Sequence, residues 1–224
     1  MNNSKNRTRT LVMLSLFTAV AYLSIYIVNF KVTFLTFDIK NVFITIAAML
    51  YGPISGVLVS FIAAFLELIF YSTTGFYGFV MNFLSSASFA FVAGWIYRRH
   101  KTIMGSYLSL ALASVVSTAV MMVANLFITP FYMGMGISDV AKMIPTLLFP
   151  FNFIKCVVNS ALVLVLYKPI SLVLVRAGMI KKEGKSGKYL TGKTFITLGI
   201  ALVLIVASMV IFFLVLGGKI DFGA

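Results

Sequence analysis

The sequence predicts an all-α integral membrane bundle, and three observations predict it. Hydrophobic residues make up 61% of the 224 residues and charged residues 10%, against roughly a quarter charged in an ordinary soluble domain. Mean hydropathy is +1.07. Lys and Arg gather between apolar runs, and most of these runs approach the about 20 residues that a helix needs to cross the hydrocarbon. The same composition excludes other classes. A single cysteine, Cys156, rules out a disulfide scaffold, and a single histidine, His100, argues against a His-rich metal enzyme. The five acids are Asp38, Glu67, Asp139, Glu183 and Asp221, too few for chemistry built on paired carboxylates. The net charge of +13 fits basic loops lying against anionic lipid better than a nucleic-acid surface.

The elements follow in order. A basic tail, 1–9, leads into a first span over 10–28; it lacks a small-residue cleavage site and reads as a span, not a signal peptide. Gly52-Pro53 breaks the next apolar region, because proline cannot donate into a helix ladder. A short second helix over 39–50 and a third over 53–70 result. The fourth covers 78–97 and stops at Arg98-Arg99-His100-Lys101. The fifth covers 104–128 and stops before Pro130. The sixth covers 146–167 and ends at Lys168-Pro169. The six-helix domain thus occupies 10–178. A basic linker, 179–194, carries KKEGKSGK, and a seventh helix covers 195–217. With the N-terminus in the cytoplasm, 13 basic residues fall inside and 4 outside, with Lys155 within a span. That bias orients the chain. The chain shows no internal repeat of the kind found in many secondary transporters.

Ionisable and amide groups at membrane depth are costly, which makes each a functional hypothesis. Lys155 follows Pro150 in PFNFIK. Asn152 and Asn159 lie three residues before and four after it, on one helical face. Snorkelling of Lys155 and interhelical bonding by the asparagines are the structural alternatives to a ligand-binding face. Asn125 sits just before Pro130, with Tyr132 beyond, and Asn82 lies in the fourth helix. Glu67 is placed to pair with Lys155 or Lys40. The loop 29–40 alternates aromatic and polar residues, including Phe34 and Asp38, which suits a flat ring or a membrane-interface belt. The Gly-rich turn ending at Gly78 would let backbone approach a ligand. Ser15 and Ala19, four apart in the first helix, permit close packing of a partner helix. No GxxxxGK[ST], HExxH, CxxC or GxSxG motif occurs. A ligand-like face without an energy-using site suggests a binding subunit energised by others.

Four stretches carry a family resemblance: FDIKNVFITIAAMLYGPISG, the segment with Gly78, Asn82 and Phe83, PFNFIK at 150–155, and LYKP at 166–169. Over 10–178 the chain resembles the substrate-binding S components of energy-coupling factor (ECF) vitamin transporters, most of all the riboflavin group. The resemblance implies a six-helix S-component bundle in a bacterial cell membrane, with the seventh helix as an addition. It implies capture of riboflavin, or FMN, from outside, and no enzymatic activity or cofactor. It implies partners, namely a transmembrane coupling protein and two cytoplasmic ATPases. Asn125, Asn152 and Lys155 would hydrogen-bond the flavin. Asn82, Asp38, Phe34, Glu67, Gly78, Tyr132 and Asn159 would complete the site, and Ser15 and Ala19 would dock the coupling protein. An S component for another small vitamin or precursor, and a non-transport membrane enzyme or assembly factor, are the competing expectations.

Overall fold

The computed structural model describes residues 2–180, 199, 201–208 and 210. Helix α1 (Asn2–Ile27) leads into an antiparallel hairpin, β1 (Asn29–Val32) and β2 (Leu35–Asp38). Then come α2 (Lys40–Tyr51), α3 (Pro53–Phe70), α4 (Gly75–Arg99) and α5 (Ile103–Met133). A short α6 (Ile137–Met143) passes through a π-turn (Ile144–Leu148) into α7 (Phe149–Arg176). Five helical stretches are long and apolar enough to cross a membrane, and α2 is a shorter apolar helix beside them. Residues 199, 201–208 and 210 are helical, in line with a seventh helix. The basic linker from 181 and the two ends of that helix lie outside the described residues.

Several expectations are corrected. The stretch 29–40 is not an irregular loop but a hairpin in which Asn29 pairs with Asp38 and Val32 with Leu35. Its β-branched and aromatic residues favour a pleated surface. Its turn has no glycine or asparagine to signal it; Thr33 takes the left-handed conformation instead, at φ 54°. Two prolines do not end their helices. α5 runs through Pro130 to Met133 and closes on Gly134 at φ 64°, and α7 runs through Pro169 to Arg176. Proline is tolerated inside membrane helices, where hydrogen-bonding side chains and local adjustment of the helix can re-satisfy the backbone it frees. The sixth predicted helix also begins earlier, as α6 and a π-turn, a device often found beside functional sites.

The core lies where α2 is wrapped by α1, α3, α4 and α7. Val42, Ile44, Ile46, Ala47 and Ala48 are fully buried there with Phe89, Ala90 and Ala93. α2 is therefore buried nearly all round, its polar Lys40, Asn41 and Thr45 included. Gly52, at φ 113°, makes the sharp turn into α3 that only glycine adopts without strain. Gly56 and Gly94 bring α3 and α4 against Ala48. A second cluster, Phe37, Phe151, Ile154 and Val158, joins the hairpin to α7, and Ile205 of the C-terminal helix packs on it.

Candidate functional site

One end of the bundle gathers the hairpin turn, the start of α4, the end of α5 and the start of α7. Between them lies a cavity open to solvent, with about 690 Å³ of empty space when its open mouth is counted. The hairpin contributes Phe34, Leu35 and Thr36. α4 contributes Tyr77, Gly78, Met81, Asn82 and Ser85. α5 contributes Met121, Asn125, Thr129 and Tyr132, and α7 contributes Phe151, Asn152 and Lys155. Seven residues expected from the sequence thus line one space: Phe34, Gly78, Asn82, Asn125, Tyr132, Asn152 and Lys155.

The amides are held by their own helices. Asn125 donates through Nδ2 to the Met121 carbonyl at 2.7 Å and accepts at Oδ1 from Thr129 Oγ1 at 2.9 Å. Asn152 donates to the Leu148 carbonyl at 2.8 Å. Asn152 is tied down at its nitrogen and Asn125 at both ends of its amide, which fixes how each amide faces. The aromatic lining includes Tyr77 and Tyr132, whose rings are 6.4 Å apart. Phe151 packs edge-on against Phe37, which braces the hairpin from behind.

Asp38, Glu67 and Asn159 stand behind the wall, not on it. Asp38 is 1% exposed and its Oδ2 takes the Lys155 ammonium at 2.9 Å. Lys155 also donates to the Thr36 carbonyl at 2.9 Å, so it neither snorkels nor points into lipid. Lys40 lies 3.6 Å from Asp38 Oδ2 and 2.5 Å from Glu67 Oε2, so Glu67 pairs with Lys40 and not with Lys155. Glu67 Oε1 in turn accepts from Asn82 Nδ2 at 2.8 Å. Asn159 donates to the Lys155 carbonyl at 2.8 Å and toward the Asp38 carbonyl at 3.4 Å, with no partner for its own Oδ1. Two cations and two carboxylates therefore form a buried, charge-balanced chain whose ends, Lys155 and Asn82, reach the cavity. Burial alone would push the Asp38 carboxyl up, yet the Lys155 and Lys40 ammoniums hold it below its ordinary value. Among the described residues no group of three metal-ligating side chains occurs.

The sequence reading missed Tyr77, Ser85 and Thr129 as lining residues. Thr129 and Ser85 follow Asn125 and Asn82 by four and three residues, so helical spacing could have found them. Lys40 was expected only as a partner of Glu67, and the structure sets Asp38 beside it as well. Ser15 and Ala19 lie on the exposed face of α1 with Leu16 and Leu23.

Comparison with known proteins agrees with this architecture. Residues 9–167 match the family model described as ECF transporter, substrate-specific component. The riboflavin transporter RibU of Staphylococcus aureus (strain TCH60) is 28% identical over 179 residues, covering 76% of this chain and 94% of that protein. A solved S component of a bacterial ECF transporter superposes with a TM-score of 0.65 at 28% identity, covering 75% of this chain and 98% of that one. A multi-pass helical bundle, a polar cavity at one end and a family match over most of its length converge: the chain belongs to the substrate-specific S components of ECF transporters and is a transport subunit, not an enzyme.

Proposed function

We propose that this S component captures riboflavin at the outer face of a bacterial cell membrane and delivers it inward. The observation that carries the reading is the cavity itself, which combines amides, one ammonium and aromatic rings. Flat heterocycles stack on aromatic faces, and a few placed polar groups fix their orientation. Asn125, Asn152 and Lys155 would bond the flavin and its polyol chain, with Phe34 and Tyr132 against the ring. The 28% identity with a riboflavin transporter supports the same ligand. The excess of basic residues on the loops shared with the N-terminus supports an inner N-terminus and an outward-facing cavity.

Uphill uptake then needs a transmembrane coupling protein and two ATPase subunits. The exposed face of α1 around Ser15 and Ala19 would dock the coupling protein, since small residues let helices approach closely in lipid. The test is titration of the purified chain with riboflavin, FMN and a panel of other vitamins, read by flavin quenching and thermal shift. Saturable quenching by riboflavin supports the reading. Stabilisation by another vitamin, with no flavin binding, would assign the site to that ligand instead.

A further inference from the structure

Lys40 is 2% exposed and is absent from the cavity lining, yet it connects to both polar walls. Through Asp38 it reaches Lys155 on α7, and through Glu67 it reaches Asn82 on α4. An ion-paired carboxylate only accepts hydrogen bonds. Glu67, held by Lys40 at 2.5 Å, therefore dictates which way the Asn82 amide faces. Nδ2 must turn toward Glu67 Oε1, as it does at 2.8 Å. The planar amide then carries Oδ1 on its other branch, so Asn82 can offer the cavity an acceptor there, beside the second Nδ2 proton. On the opposite wall, two of the three Lys155 protons go to Asp38 and the Thr36 carbonyl, which leaves one to donate.

We propose that Lys40 and Glu67 are positioning residues that fix Asn82 as a hydrogen-bond acceptor, so that the site reads an N–H on the edge of its ligand. The inference rests on the flavin reading for the identity of that edge: the imide N–H of the isoalloxazine ring, flanked by carbonyls that can accept from a donor such as Lys155. Lys40 and Glu67 touch no ligand atom. Their effect is to exclude the flipped amide, which would set a donor against a donor. A site built to bond an N–H rejects an analogue without one, because its acceptor is left unpaired.

The experiment compares riboflavin with its N3-methyl analogue on the purified full chain. The wild type should prefer riboflavin by about tenfold or more, the loss expected for one unpaired buried acceptor. Asn82→Leu removes the acceptor and should bring the ratio to within about threefold of unity. Glu67→Gln should do the same, because a glutamine amide can donate as well as accept and no longer fixes the flip. Lys40→Arg keeps the cation and should keep the preference. Equal binding of both flavins by the wild type would overturn the proposal, as would an undiminished preference in Asn82→Leu or in a Glu67→Gln chain that melts like the wild type. A wild type that binds neither flavin would sink the riboflavin reading. Exchange of the Asn82 side-chain amide protons in a 15N-asparagine sample then decides the positioning alone. Protection in the wild type that is lost in Glu67→Gln supports it, and fast exchange in both overturns it.

Discussion

Replacing Lys155 by methionine separates what this residue does for the fold from what it does for the ligand. In the folded chain its ammonium has two partners, Asp38 Oδ2 and the Thr36 carbonyl, both at 2.9 Å. Removing one member of a buried ion pair costs about 3–5 kcal/mol. Here the lower end is expected, because Lys40 remains 3.6 Å from the same carboxylate. A charge-assisted hydrogen bond to ligand contributes about 1.5–3 kcal/mol, or roughly a 10- to 150-fold weaker Kd for riboflavin. Adding Asp38→Asn to Lys155→Met removes the stranded carboxylate. The double variant should regain much of the lost thermal stability but none of the lost affinity. Thermal unfolding and flavin quenching on wild type, both single variants and the double variant measure the two quantities. If the double variant recovered affinity along with stability, Lys155 would serve the hairpin alone. Binding by Lys155→Met at wild-type strength would refute the reasoning outright.

Other outcomes follow from the same geometry. Gly56→Ala would place a Cβ 2.5 Å from the Ala48 Cβ, a methyl that cannot swing away; it should destabilise the bundle by about 1–3 kcal/mol in thermal unfolding. The Asp38 carboxyl is depressed in the fold, so its contribution to stability is full above the ordinary aspartate range and is lost as the pH falls through the folded value. Asp38→Asn should flatten that part of the acid limb of the melting curve. Ala19→Trp, on the exposed face of α1, should leave riboflavin affinity within about twofold while blocking co-purification with the coupling protein and ATPases. A chain ended after Gly178 retains every residue that lines the cavity but loses Ile205 from the hairpin cluster. It should bind flavin within about threefold of the full chain yet melt at a lower temperature.

Composition carried most of the architecture, because lipid admits only a narrow set of backbones. The Gly52-Pro53 break and the basic stops were readable for the same reason. The amide positions were readable because polar atoms at membrane depth stand out against leucine and valine. What stayed hidden depends on tertiary contact. The hairpin turn lacks the usual glycine, and Pro130 and Pro169 sit inside helices that run on past them. Nothing in the spacing of Asp38, Lys40, Glu67 and Lys155 announces that a hairpin and three helices would carry them into one network. Asp38 was expected to face the ligand and instead faces two lysines, whereas Glu67 takes Lys40, one of the two lysines it was expected to pair with.

That pairing has a consequence for how the mouth opens. The hairpin holds the Lys155 proton donors through Thr36 and Asp38. It cannot lift away from α7 without pulling unlike charges apart in a poorly polarisable medium. Water entering behind it would hydrate those same charges and ease the separation. Parting the hairpin from α7 is thus an electrical event as much as a mechanical one, and its rate should track how readily solvent reaches the Asp38–Lys155 pair.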